Sequence, residues 1–433
     1  MQQTIAKYFN FAAYQTNFAS EVRAGFTTFL TMAYILFINP QLLSITGMPA
    51  EDIAFATAVA SSIACLIMGL YAKFPFALAP GMGLNAYFTF GVVQGMGISW
   101  EVALAAVFVE GVLFLLLAMS GFRSKMINSI PNNLKIATMV GIGLFLSIIG
   151  FKNAGITIDH QATLVTMGDL SSPEVILALT GIIVTAALMH KGIKAALLIS
   201  ILLLTGIAWI SGLAPAPSSL VALPSLPTET LMAVDFSQAL TGAFVTIVVA
   251  FLFVDIFDTA GTLIGTGRAA GLLDKKGELP GAEKAFAADA VGTSAGALLG
   301  TSTVTTYVES AAGIESGGRT GFTAVVVGIF FLFALFFTPL FIAVPAVATA
   351  PALIVVGALM MLGAKDVEWS KIDEAVPAFL TVIGMPFTFS IAHGITLGIV
   401  SWVAIKILTG QIKQVNTFMW FLAVALCSYH TSL

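Results

Sequence analysis

Apolar runs long enough to cross a bilayer recur along the whole chain, each closed by a short polar or glycine- and proline-containing stretch. A spanning helix needs about 20 mostly apolar residues. The pattern predicts spans at 24–44, 51–71, 76–93, 99–119, 134–151, 173–189 and 193–212, and again at 237–257, 284–299, 300–316, 320–344, 348–363, 376–391 and 393–409. The expected fold class is thus an all-α polytopic membrane protein of 14 transmembrane segments. A further apolar stretch, 415–430, with Trp420, Tyr429 and His430, is either interfacial or an additional segment. Residues 1–23 carry Lys7, Glu21 and Arg23 and lack the apolar core of a cleavable signal, so the first span reads as an uncleaved anchor.

Seven segments per half is an odd number, which forces the two halves into opposite orientations, the inverted repeat of many secondary transporters. Ala33-Tyr34-Ile35-Leu36-Phe37 in the first span echoes Ala250-Phe251-Leu252-Phe253-Val254 in the eighth. The third and tenth spans are both short, rich in small residues and interrupted. Basic residues orient the scheme: with a cytoplasmic N-terminus, 17 of the 18 lysines and arginines fall on that side, leaving Lys152 alone on the other.

Composition agrees. The chain is 58% hydrophobic and 9% charged, against roughly 25% charged in soluble domains. A net charge of −4 with few basic residues argues against nucleic-acid binding. His160, His190, His393 and His430 show no metal-ligand spacing. Cys65 and Cys427 form no paired motif and read as packing residues. Neither a metal nor a cofactor is expected.

Broken helices point to a transporter's site. The third span reads Ala79-Pro80-Gly81-Met82-Gly83-Leu84-Asn85-Ala86-Tyr87-Phe88, where proline and two glycines open the backbone. The tenth reads Gly300-Thr301-Ser302-Thr303-Val304-Thr305-Thr306-Tyr307-Val308-Glu309-Ser310-Ala311-Ala312-Gly313, with a β-branched, extended start. Backbone freed at membrane depth must line a cavity or be buried in protein, so these two spans are expected to meet near the midplane.

Carboxylates cluster in the same segments. Asp255 and Asp258 end the predicted eighth span, three residues apart and so on one helical face. Asp289 lies in the ninth, Glu309 in the tenth and Glu110 near the centre of the fourth. With no lysine or arginine at similar depth, an ionised acid there costs about 2.5–3.5 kcal/mol. These groups must hold a proton, a cation or a donor-rich ligand. The plainer alternatives are a solvated helix end for Asp255, a structural bond to Thr259 or Thr262 for Asp258, helix bridging for Asp289, a peripheral role for Glu110, and backbone satisfaction for Asn85.

At these residues the chain resembles the AzgA-like purine permease branch of the nucleobase:cation symporter-2 family, over about residues 15–410. The resemblance rests on Thr31-Met32-Ala33-Tyr34-Ile35-Leu36-Phe37-Ile38-Asn39-Pro40, on Pro80 to Phe88, on Asp255-Ile256-Phe257-Asp258-Thr259-Ala260-Gly261-Thr262 and on Thr303 to Gly313. It implies 14 segments in two inverted seven-segment repeats. Core-domain segments would occupy 1–120 and 236–345, and gate-domain segments 121–235 and 346–433, the gate often being the contact of a homodimer. It implies import of hypoxanthine, guanine or adenine with protons across a bacterial inner (plasma) membrane. The family's substrate-binding acids correspond to Asp255 and Glu309 and its third-span asparagine to Asn85. Asp258 and Asp289 correspond to acids of activity or coupling, and Glu309 is a further candidate for carrying the proton. Thr259, Tyr87 and Thr305 complete the candidate substrate site. Stacking could come from Phe26, Tyr87 or Phe257.

Purine chemistry fits acids of this kind. A carboxylate accepts two bonds from guanine's ring N–H and amine, and charge-assisted bonds are the stronger ones; this favours guanine and hypoxanthine over adenine. Rival readings are an anion carrier on the same architecture, an intramembrane enzyme and a channel. The first wants a positive or neutral centre where Glu309 stands. The second wants a nucleophile and base at depth, and the third does not need paired halves.

Overall fold

The computed structural model describes residues 2–120, 130–275 and 277–431. Arg123, Lys125 and Lys276, which entered the orientation argument, lie outside them. Among the described residues nine helices are long and apolar enough to cross a membrane: Phe18–Ser44, Ala50–Ala72, Trp100–Ser120, Asn132–Asn153, Pro173–His190, Gly242–Ala269, Gly321–Ala343, Ala346–Asp366 and Ile391–Leu408. The chain is an all-α polytopic membrane protein.

The remaining predicted spans are shorter or more polar. Helices Ala196–Ile210, Ala282–Leu299 and Ile372–Thr388 stand at three of them. The two interrupted spans are built differently. The third is a strand, Leu78–Pro80, then a helical turn, Met82–Ala86, that widens into Tyr87–Gln94. The tenth is a strand, Val304–Thr306, followed by a short helix, Ser310–Glu315. The stretch at 415–430 forms helix Thr417–Thr431, packed on Ile391–Leu408.

Two boundaries differ from the sequence reading. The first span is two helices, Phe18–Met32 and Ile35–Ser44, with Ala33 and Tyr34 between them. There the ladder tightens to i,i+3 bonds, Leu36 N–H to the Ala33 carbonyl and Phe37 N–H to that of Tyr34, both 3.1 Å. The eighth helix starts later and ends later than 237–257. Thr241 caps it by accepting the Phe244 N–H at 3.2 Å, and it runs to Ala269. Asp255, Thr259, Thr262 and Thr266 are buried against the rest of the protein and do not end it, and Asp255 and Asp258 sit well inside the helix.

The helices pack in two sets. Ala50–Ile67 lies against Ile35–Ser44, Ala282–Leu299 and Gly321–Ala334, and Trp100–Ser120 against Ala282–Leu299 and Gly242–Ala269. Asn132–Asn153 lies against Ala346–Met360, Ile372–Thr388 and Ile391–Leu408, and Pro173–His190 and Ala196–Ile210 join Ala346–Met360. Small residues permit close contact inside a bilayer. At Gly143 an added Cβ would stand 2.8 Å from the Gly357 carbonyl.

Of the cysteines, Cys65 is buried, its sulfur bonded to the Leu78 carbonyl at 3.3 Å and N–H at 3.2 Å. Cys427 is exposed, not packed inside as expected.

Candidate functional site

The two interrupted spans pair with each other. Leu78–Pro80 and Val304–Thr306 form an antiparallel ladder with Leu78 opposite Thr306, Ala79 opposite Thr305 and Pro80 opposite Val304. Buried backbone groups need partners, and this crossing supplies them. Gly81 N–H donates to the Thr303 carbonyl (3.0 Å) and Tyr307 N–H to that of Ala77 (2.9 Å). Around the pair, the Tyr307 hydroxyl donates to the Pro80 carbonyl (2.6 Å), the Thr293 hydroxyl to the Val304 carbonyl (2.9 Å), and Ala77 N–H to the Ser310 hydroxyl (2.9 Å). Gly81 is needed for the approach: a Cβ there would stand 2.7 Å from the Thr305 methyl.

A cavity of about 120 Å³ opens beside this crossing. That is below the roughly 300–1,000 Å³ of pockets for drug-sized ligands and suits one small ring system. Its polar lining is Tyr34, Asp258, Thr262, Thr305, Thr306, Tyr307 and Glu309, and among the described residues no lysine, arginine or histidine lines it. Gly81, Met82, Gly83 and Leu84 form one wall, and Met139, Ile142, Leu146, Val356 and Met360 the facing, apolar one. The cavity therefore lies between the two helix sets.

The acids divide. Glu309 and Asp258 reach the cavity and are each only partly buried. Glu309 accepts the Tyr34 hydroxyl at 2.5 Å on Oε1. Asp255 does not line the cavity. Three residues advance an α-helix by about 300°, so Asp255 and Asp258 point some 60° apart, enough to send one to the cavity and the other behind it. Asp255 is fully buried with Glu110 and Asp289.

The other candidates stand as supports. Thr259 is fully buried, donates to Asp289 at 2.5 Å and bonds Thr305 at 2.8 Å. Asn85 is fully buried and accepts the Ser302 hydroxyl, tying the third span to the tenth. The Tyr87 ring packs edge-on against Phe251, centroids 4.9 Å apart. Phe257 packs on Phe253 at 4.5 Å and Phe26 on Phe330 at 5.1 Å, so neither lines the cavity. The rings that do are Tyr34 and Tyr307, centroids 6.4 Å apart. The sequence reading did not assign them to the site, although both lie in its motifs.

Two interrupted spans crossing at a small acid-lined cavity, inside a polytopic helical membrane protein, define a transport permease. The chain belongs to the Permease family, whose profile matches residues 19–397. It is 44% identical over 433 residues to the guanine/hypoxanthine permease PbuG of Bacillus subtilis, covering 98% of each chain. It is 41% identical over 418 residues to the adenine permease AdeP of Escherichia coli, covering 96% of this chain and 93% of that one. The transmembrane domain of the cyanobacterial bicarbonate transporter BicA shares the fold, with a TM-score of 0.62 at 14% identity over 89% of this chain and 96% of that one. The family is one of transporters, not enzymes.

Proposed function

We propose that this permease carries purine nucleobases, guanine and hypoxanthine foremost and adenine as the alternative, by proton symport with alternating access. The observation that carries the reading is the pairing of Asp258 and Glu309 on one small cavity without a basic residue. Such a lining repels anions, which disfavours a bicarbonate-like substrate despite the shared fold. It attracts a neutral ring that presents N–H groups. In this reading Glu309, oriented by Tyr34, and Asp258 accept those donors, while Tyr34 and Tyr307 flank the ring. Thr305 contributes a hydroxyl at the edge. Asp255, Asn85, Thr259 and Tyr87 act behind the site rather than on the ligand. A proton on Glu309 or Asp258 would neutralise the cavity and favour movement of the loaded site.

The architecture of this reading has 14 segments as two inverted repeats. Segments 1–4 and 8–11 form the core and segments 5–7 and 12–14 the gate. The two packing sets and the antiparallel crossing of the third and tenth spans support it. The apolar wall of Met139, Ile142, Val356 and Met360 would be the gate's face, against which the core slides. The N-terminus would be cytoplasmic.

Competition uptake tests the function: labelled hypoxanthine against guanine, adenine, xanthine and uracil, with and without a protonophore. Competition by guanine and loss of accumulation with the protonophore are expected. Accumulation indifferent to the protonophore, or competition by uracil alone, would overturn it.

A further inference from the structure

An apolar groove runs along the seam between the two helix sets. Its main part, about 310 Å³, is walled by Phe29 and Ala33 of the first span, Phe333 and Phe337 of Gly321–Ala343, and Leu198 and Leu202 of Ala196–Ile210. Every residue lining this part is apolar. Phe330 continues it into an open trough with Phe18, Val22 and Phe26. The Phe330 ring joins the two parts, its centroid 5.1 Å from that of Phe26 and 5.4 Å from that of Phe29. Among the described residues the only polar one on the trough is Arg23.

Width limits what can fill the groove. From Phe29 to Phe37 the first span advances by eight residues, about 12 Å of helix. A volume of about 310 Å³ over that length leaves about 25 Å² of cross-section. An α-helix with its side chains is about 10–12 Å across, or roughly 80–110 Å². The groove takes one hydrocarbon chain and not a helix of a second copy.

Charge at its end identifies the headgroup. Arg23 is exposed, and its guanidinium donates to the Ser316 carbonyl at 3.4 Å. Lys194, from the other helix set, donates to the Ser316 hydroxyl at 3.0 Å. Two cations thus converge on one residue where the trough ends. The acids beside them are engaged. Glu315 pairs with Lys194 at 3.4 Å. Glu21 is buried and accepts the Arg319 N–H at 3.0 Å and the Thr323 hydroxyl at 2.6 Å. Arg319 donates from its guanidinium to the Ile314 and Gly318 carbonyls. Among the described residues no carboxylate pairs with Arg23. Depth agrees with charge. Half of a hydrocarbon core of about 30 Å is about 15 Å, or about ten residues of helix. Ten residues beyond Arg23 stands Ala33, in the wall of the main groove.

We propose that this groove binds an anionic phospholipid, its phosphate on Arg23 with Lys194 beside it and one acyl chain lying between the helix sets as far as Ala33. The chain then ends at the break of the first span, next to Tyr34, whose hydroxyl aims Glu309. Any effect on transport rests on the purine reading above; the lipid site does not.

The test is native mass spectrometry of the full-length protein released from vesicles of equal phosphatidylglycerol and phosphatidylcholine, comparing wild type with Arg23→Gln and Leu202→Trp. Wild type should keep one tightly bound lipid, with phosphatidylglycerol in about fivefold excess or more, the effect of roughly one cation at a membrane surface. Arg23→Gln should bring the two lipids to parity. Leu202→Trp fills the groove and should lose the bound lipid whatever its headgroup. Equal retention of both lipids by wild type, or phosphatidylglycerol retained undiminished in both variants, would overturn the proposal. So would loss of a dimer rather than of lipid in Leu202→Trp, which would make a second copy the occupant. If Leu202→Trp does not fold, Leu198→Trp carries the same readouts. Failure of wild type to exchange labelled hypoxanthine in the same vesicles would sink the purine reading, and lipid retention would still decide the groove.

Discussion

The Tyr34 hydroxyl donates to Glu309 at 2.5 Å, joining the break in the first span to the interrupted tenth. Tyr34 is itself 1% exposed, so its ring is held by packing and its hydroxyl serves to aim the acid. A hydrogen bond to a charged group is worth about 1.5–3 kcal/mol. Tyr34→Phe keeps the ring and removes only that donor. The KM for purine uptake is expected to rise about 10- to 100-fold, with amounts of folded protein unchanged. A KM within twofold of wild type would mean that Tyr34 does not orient the ligand-binding carboxyl.

Asp255 and Asp258 separate two roles that lie one helical turn apart. Asp258→Asn removes an acceptor at the cavity and should weaken purine binding about tenfold or more. Asp255→Asn lies behind the cavity and should leave the Kd within about threefold, while altering the response to pH. Binding of guanine to purified protein by calorimetry distinguishes them. The opposite order would place Asp255, not Asp258, on the substrate.

Gly83 is where the third span meets the facing helix. A Cβ there would stand 2.6 Å from Ile142 Cγ2. Gly83→Ala should wedge the two helix sets and slow uptake about tenfold, and Ile142→Ala should restore it in the double variant. Additive losses would show that Gly83 acts within its own span rather than across the contact.

At one end of the tenth span Lys194 reaches across the two sets. Its ammonium donates to the Ala312 carbonyl and Ser316 hydroxyl, both 3.0 Å, and pairs with Glu315 at 3.4 Å. Because the pair is partly exposed, its contribution to stability is about 0–1 kcal/mol. Lys194→Ala should leave the melting temperature nearly unchanged, yet change the accessibility of a cysteine placed at Val308 to a membrane-impermeant thiol reagent. Unchanged labelling would remove this contact from the transport cycle.

Much of this was legible in the chain. The interrupted spans announce themselves through Pro80, Gly81 and Gly83 and through the threonine run at 301–306. Glu309 and Thr305 follow because they lie on such a span. The choice between Asp255 and Asp258 was not legible. It depends on a rotation of about 60° that hydrophobic periodicity does not fix when the helix is apolar on nearly every side. The break at Ala33 and Tyr34 left no mark either, since neither residue is a helix breaker and the turn is set by tertiary bonds such as that to Glu309. The apolar wall of Met139, Ile142, Val356 and Met360 was invisible for a further reason. Residues facing a cavity across a domain contact have the composition of residues facing lipid.

In the proposed cycle Glu309 couples a neutral purine to a proton in the cavity at the crossing of the interrupted spans. Its most direct measurement is accumulation of labelled hypoxanthine in proteoliposomes under an inward proton gradient, comparing wild type with Glu309→Gln. Concentrative, protonophore-sensitive uptake by wild type and none by the variant is the expected result. Accumulation by Glu309→Gln at the wild-type rate and level would contradict it.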